Sequence, residues 1–294
     1  MAASTTPLRL RVADDVTLAA DRHGATDGRP VVLLHGGGQT RHAWHHTAQQ
    51  LADAGNHVLN VDLRGHGDSD WSPDGNYEFR RFAADVSAIA RQLPQPPALV
   101  GASLGGIASL LAAGDESADG AVATALVLVD VAPKTEQQGV DRIRAFMRQG
   151  LGGFASLEEA ADAIATYNPH RPRPKDLSGL TKNLRQHDDG RWYWHWDPAF
   201  MAPDEPDNDS PIDGMPRRRG IPQSELEAAA RRLTIPTLLV RGGASDLLSE
   251  EGARHLQTLI PHAQVVNVTG AGHMVAGDRN DNFNAAVIDF LAAN

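Results

Sequence analysis

The chain has 294 residues, 41% of them hydrophobic and 22% charged, with a formal net charge of −10. That length suits one large α/β domain, or a core domain carrying an insertion, and the acidic balance argues against nucleic acid and anionic membranes as partners. The absence of cysteine excludes disulfides, thiolate metal sites and cysteine nucleophiles.

Residues 1–15 hold no apolar stretch of the signal-peptide kind. No run approaches the ~20 uninterrupted apolar residues that span a bilayer. A cytoplasmic location is therefore expected. Segments 8–12 (LRLRV) and 16–20 (VTLAA) alternate around the turn Ala13-Asp14-Asp15, as an opening β-hairpin would. Short apolar runs follow at 31–34, 57–61, 98–101 and 125–129, and again at 237–241 and 264–268. Segments of helical length separate them, and helices are expected near 250–260 and 281–292. This alternation predicts a mostly parallel sheet covered on both faces.

Residues 134–232 break the rhythm. Helices are predicted near 137–149, 156–167 and 175–186, followed by an acidic, proline-rich loop over 203–222. The basic run Arg217-Arg218-Arg219 follows acidic residues and reads as a solvated loop of mixed charge. The segment fits a lid inserted between the sixth and seventh sheet strands, with 1–133 and 233–294 forming the core. Ligands of open α/β sheets bind at the carboxyl edge, where such a lid would lie.

Three loops at that edge carry chemistry. Gly101-Ala102-Ser103-Leu104-Gly105 is a G-x-S-x-G pattern between a predicted strand and a predicted helix. That context marks Ser103 as a nucleophile on a strained turn. His35-Gly36-Gly37-Gly38 follows a buried strand and lets backbone approach a ligand. The N–H groups of Gly37 and Leu104 are the expected oxyanion donors, with Gly38 the alternative to Gly37. His35 is read as holding this loop rather than moving protons. His273 stands after the sixth apolar run and a glycine pair, and is the expected base. Asp246, in the loop RGGASD, is the expected orienting acid, and Asp130, at the end of run 125–129, is its rival.

Other histidines are read as loop or surface residues. His42, His45 and His46 come close in sequence, but no carboxylate accompanies them, so no metal is expected. The segment RWYWHWDPAF (191–200) concentrates three of the five tryptophans. Trp192, Trp194 and Trp196 share one face if it is extended. Trp44, Trp192, Trp194 and Met274 are the candidate pocket residues, and Met147 is a further one.

Together VVLLHGGG (31–38), VDLRGHGDSD (61–70), LVGASLGG (99–106), LLVRGGASD (238–246) and GAGHMVAGD (270–278) resemble the α/β-hydrolase superfamily. The similar branch holds esterases, enol-lactonases, C–C hydrolases, cofactor-free haloperoxidases and epoxide hydrolases. The resemblance implies an eight-stranded, mostly parallel sheet with an inserted helical lid. It also implies a Ser103–Asp246–His273 triad that works without a cofactor, and bracing roles for Asp62 and Arg64. Epoxide hydrolases and haloalkane dehalogenases carry aspartate where Ser103 stands, so their chemistry is not expected, and Tyr167 and Tyr193 are read as packing. The expected activity is hydrolysis of a small-molecule ester or lactone through an acyl-enzyme, by a monomer or homodimer. C–C cleavage, perhydrolysis and a non-catalytic receptor are the alternatives.

Overall fold

The computed structural model describes residues 5–118, 120–169, 173, 175–201, 220–269, 271–273 and 281–294. Eight strands form the main sheet. In chain order they are β1 (Thr6–Arg11), β2 (Thr17–His23), β3 (Arg29–Leu34), β4 (Asn56–Val61), β5 (Ala98–Ala102), β6 (Ala125–Val129), β9 (Thr237–Gly242) and β10 (Gln264–Val268). In space the order is β1-β2-β4-β3-β5-β6-β9-β10. The β1–β2 hairpin is antiparallel, and β2 meets β4 antiparallel. All remaining pairs are parallel.

The central strands are apolar on both faces because both faces are covered. Val31 and Leu33 of β3, and Val127 and Val129 of β6, point to one cluster. It is completed by α1 (His45–Asp53) and α8 (Asp281–Ala293) through Ala48, Leu51, Val287 and Leu291. Val32, Leu34, Leu126 and Leu128 point the other way. There they meet α2 (Phe79–Arg91), α3 (Leu104–Ala113) and α7 (Glu250–Leu259) through Phe82, Ile89, Leu110 and Leu256. This period of two distributes each strand between two cores. Helix starts follow local chemistry. Ser249 caps α7 by accepting the Gly252 N–H at 3.1 Å, which satisfies one of the free donors of a helix N-terminus.

Between β6 and β9 lie α4 (Gln137–Gln149), α5 (Leu157–Tyr167), the short pair β7 (Leu184–Gln186) and β8 (Trp192–Trp194), and α6 (Gln223–Arg231). Phe154, Ala160 and Leu184 form a small separate core, with Trp192 and Trp194 packed on it. The helix predicted over 175–186 is instead a 3-10 turn, Ser178–Lys182, followed by β7. Strand pairing wins because Leu184 lies opposite Trp194 and is buried in that small core. Helix α6 falls inside the span expected for the lid, yet Leu226, Ala229 and Ala230 belong to the main core. A Cβ on Gly114 would lie 2.5 Å from the Ala229 carbonyl oxygen. This helix packs on α3 as part of the outer layer. No helix among the described residues is long and apolar enough to cross a membrane.

Candidate active site

Ser103 sits between β5 and α3 at φ 46°, ψ −111°, a conformation that L side chains seldom adopt. The flanking glycines explain how the turn closes. A Cβ on Gly101 would lie 2.4 Å from the Gly105 carbonyl oxygen, and one on Gly105 would lie 2.4 Å from that of Leu34. Only backbone without side chains can pass here. The turn lifts Ser103 to the N-terminus of α3 and into a cavity of about 830 Å3 that His273 also lines.

Asp130 follows the last residue of β6, at φ 51°, fully buried. Its Oδ1 accepts the Gly242 N–H at 2.9 Å. Its Oδ2 accepts the Ser245 hydroxyl at 2.5 Å and lies 2.8 Å from His273 Nδ1. A carboxylate only accepts, so Nδ1 carries the proton and Nε2 keeps a lone pair. The loop after β10 reaches Asp130 by crossing the end of β9. Gly242 permits the crossing, since a Cβ there would lie 2.4 Å from the Gly272 carbonyl oxygen. Gly243 N–H and Ala244 N–H tie the crossing loop down, at 2.9 Å each to the Val268 and Ala271 carbonyl oxygens.

Asp246, the expected acid, is elsewhere. Its Oδ2 pairs with Arg142 of α4 at 2.6 Å. The RGGASD loop reaches the site through Ser245, which donates to Asp130 and accepts the Leu247 and Leu248 N–H groups at 3.1 and 3.2 Å. Sequence reasoning missed Ser245. Its only signal was a hydroxyl one residue before an aspartate at a strand end.

The glycine loop after β3 is held by two buried histidines. His35 Nδ1 donates to the Gly36 carbonyl at 2.8 Å, and its Nε2 accepts the Leu63 N–H at 3.0 Å. His66 Nδ1 donates to the Arg64 carbonyl at 3.0 Å, and its Nε2 accepts the Gly38 N–H at 3.1 Å. Burial pushes His35 down to about 4, and burial together with neighbouring His35 pushes His66 down to about 3. Both rings are neutral braces. His66, expected in a surface or loop position, is fully buried. Gly38 spends its N–H on His66. Among the described residues the Gly37 and Leu104 N–H groups have no acceptor. Asp62 and Arg64 brace the following turn. Asp62 accepts the Arg41 and Asp68 N–H groups at 2.6 and 2.9 Å, and Arg64 holds Asp85 through two 2.6 Å bonds.

The cavity walls are largely apolar. Val140, Ile143 and Met147 of α4, with Ile164 and Tyr167 of α5, form one side. Trp194, Trp196 and Phe200 contribute from the hairpin and its exit. Phe200 and Met147 both reach the glycine loop: a Cβ on Gly37 would lie 3.4 Å from the Phe200 ring, and one on Gly38 would lie 3.0 Å from Met147 Cε. The hairpin exit is fastened to the turn after β4, where the Asp197 and Gly67 N–H groups bond the Gly65 and His195 carbonyls at 2.7 and 2.8 Å.

Two candidate pocket residues lie outside the cavity. Trp44 is fully buried beneath the sheet, 5.8 Å from the Phe283 ring centroid. Trp192 shares the extended strand and face with Trp194, but bridges to Phe154 and packs on the small core. Met274 falls outside the described residues. Tyr193 points away, its hydroxyl 2.7 Å from Asp189.

A model of the alpha/beta hydrolase family matches residues 31–286. The chain belongs to the alpha/beta hydrolase family. Among its relatives is the esterase Rv0045c of Mycobacterium tuberculosis, 30% identical over 270 residues, 89% of this chain and 82% of that one. Another is the 2-(acetamidomethylene)succinate hydrolase of Mesorhizobium japonicum, 31% identical over 241 residues, 80% of this chain and 78% of that one. A solved structure of the M. tuberculosis esterase superposes with a TM-score of 0.76 at 27% identity, covering 99% of this chain and 93% of that one. This alpha/beta hydrolase is therefore similar to hydrolases over nearly its whole length, sheet and intervening segment alike.

Proposed function

We propose that the chain is a serine hydrolase that cleaves carboxylic esters or lactones through an acyl-enzyme. The observation that carries this reading is that His273, paired with Asp130, lines one cavity with a serine on a strained strand-to-helix turn. In the proposed reaction Ser103 Oγ attacks the acyl carbon and gives its proton to His273 Nε2. Asp130 keeps the ring in the required tautomer and balances the charge it acquires. The Gly37 and Leu104 N–H groups receive the oxyanion, reinforced by the N-terminus of α3. His273 then protonates the leaving alcohol, and next takes a proton from the water that releases the acid. Residues 134–201 serve as the lid, and the segment's apolar wall favours an apolar substrate portion.

The names of the relatives support ester hydrolysis in general. Epoxide opening is not supported, because position 103 offers a hydroxyl rather than a carboxylate. The test is turnover of p-nitrophenyl acetate, butyrate and octanoate by the wild type and by Ser103→Ala. Turnover lost in Ser103→Ala, with unchanged circular dichroism, is the expected result. A wild type that hydrolyses none of a broad ester and lactone panel would refute the proposal.

A further inference from the structure

Asp246 occupies a conspicuous place, four residues past the end of β9, yet takes no part in the His273 pair. Its partner, Arg142, makes three contacts at once. Arg142 Nη1 meets Asp246 at 2.6 Å, its Nη2 donates to the Tyr167 carbonyl, and its guanidinium carbon stands 5.1 Å from the Tyr167 ring centroid. Tyr167 in turn stacks on Phe146, with centroids 4.2 Å apart and planes inclined by 12°. Phe146, Tyr167 and Ile143 all line the cavity above Ser103. One guanidinium thus joins the sheet edge, α4 and α5 at the wall where the substrate would lie.

The surroundings show that this loop is a docking point for α4. The Glu136 N–H bonds the Leu247 carbonyl at 2.8 Å. A Cβ on Gly139 would lie 2.4 Å from the Asp246 carbonyl oxygen, so α4 rests directly on the backbone there. Among the described residues no backbone hydrogen bond of this kind joins α5 to the sheet edge, and α5 meets that edge through Arg142. Burial, with Asp246 adding to it, pushes the Tyr167 phenol up to about 12, as suits a ring held against apolar neighbours.

We propose that Asp246 and Arg142 form a clamp that positions the Phe146–Tyr167 stack as the wall of the acyl pocket. The pair thereby sets acceptance of long, apolar acyl chains while leaving the chemistry at Ser103 untouched. This inference rests on the ester-hydrolase reading and names the substrate class for that site. Asp246 is thus a positioning residue, and esters with extended apolar acyl groups are the preferred substrates. The pair is partly exposed, with side chains 37% and 46% accessible. Its strength is therefore modest and falls with ionic strength.

The experiment compares wild type, Asp246→Asn, Arg142→Gln and Asp246→Glu on p-nitrophenyl acetate and octanoate. Hydrogen exchange of peptides covering 137–149 and 157–167 is followed in parallel. For Asp246→Asn and Arg142→Gln the octanoate KM should rise about three- to tenfold, the scale of one exposed ion pair with its cation–π contact. The acetate kcat should stay within about twofold of wild type, since no transition-state contact is lost. Exchange in both helices should quicken, while strand peptides stay unchanged. Asp246→Glu should restore most of the octanoate KM. Wild type in 1 M sodium chloride should move toward the variants, and Asp246→Asn should respond little.

Two results would overturn the proposal. One is an acetate kcat lowered in Asp246→Asn by several orders of magnitude, which would make Asp246 the acid. The other is an unchanged octanoate-to-acetate preference with unchanged exchange in both helices. If the wild type cleaves neither ester and resists a fluorophosphonate probe, the serine-hydrolase reading fails. The exchange measurement still decides the clamp in that case.

Discussion

His273 Nδ1 lies 2.8 Å from Asp130 Oδ2, across 143 residues of sequence. The carboxylate arrives from the end of β6, the strand beside the one that carries Ser103. The ring arrives from beyond β10, two strands further along the sheet. Ser245 and the Gly242 N–H hold the carboxylate from the intervening strand end. Each residue of the proposed triad is therefore anchored by a different strand.

Asp130→Asn should lower kcat for p-nitrophenyl acetate by about four orders of magnitude, as an amide in place of the orienting carboxylate does in related triads. The amide oxygen can still accept one of the existing donors, so the fold should survive, as judged by circular dichroism. Asp246→Asn measured alongside should keep the acetate kcat near wild type. The opposite pattern would return the acid to Asp246.

Ser103→Gly should abolish turnover and raise stability. Glycine relieves the φ 46° conformation, which costs on the order of 1–3 kcal/mol for other residues. It also adds freedom to the unfolded chain, worth roughly 0.4–1 kcal/mol in the other direction. A net gain of about 1 kcal/mol is expected, or ~2 °C in Tm for a chain of this size. Ser103→Ala, which keeps the strain, should show no such gain. Thermal unfolding of both variants checks this.

Stability should decline in mild acid through His35 and His66. Burial holds them at about 4 and about 3 in the folded chain, whereas they titrate near 6.5 when unfolded. Below about pH 6.5 the unfolded chain binds protons that the folded chain refuses, so stability falls with falling pH. The window runs from about 6.5 down to about 4 for His35 and about 3 for His66. Above it these rings add no slope. Urea midpoints from pH 8 to 4 would show this, and His66→Leu should remove part of the slope. The same change leaves the Gly38 N–H without its acceptor, at a cost of about 1–3 kcal/mol.

Gly105→Ala should prevent the nucleophile turn from forming. Its Cβ would fall 2.4 Å from the Leu34 carbonyl oxygen, so β3 or the start of α3 must move. Loss of soluble protein, or a Tm lowered by several degrees together with lost turnover, is expected. Gly152→Ala, where nothing lies within 4 Å of the added carbon, is the matched control.

The sheet was legible because its strands carry apolar residues on both faces, and every strand expected from 8 to 268 is present. Ser103 and His273 were legible as candidates because glycine and strand context single them out, and both line the one cavity described above. The carboxylate partner of His273 was harder. Asp130 and Asp246 both follow parallel strands, and sequence does not reveal which strand end the His273 loop crosses. That depends on Gly242 letting Gly272 pass over β9. The 175–186 segment misled for a related reason. Leu180 and Leu184 have helical spacing, but the partner that claims Leu184 is Trp194, a strand residue ten positions away. Trp44 looked like a pocket residue because it follows the glycine loop closely. The 3-10 turn Arg41–Trp44 swings it under the sheet, against Phe283.

Formation of a covalent acyl-enzyme on Ser103 is tested most directly by reacting the protein with a fluorophosphonate, digesting it and locating the added mass. A single adduct on Ser103, absent from Ser103→Ala and strongly slowed in Asp130→Asn, is the expected result. An unmodified Ser103 in a folded protein, or an adduct on another residue, would contradict it.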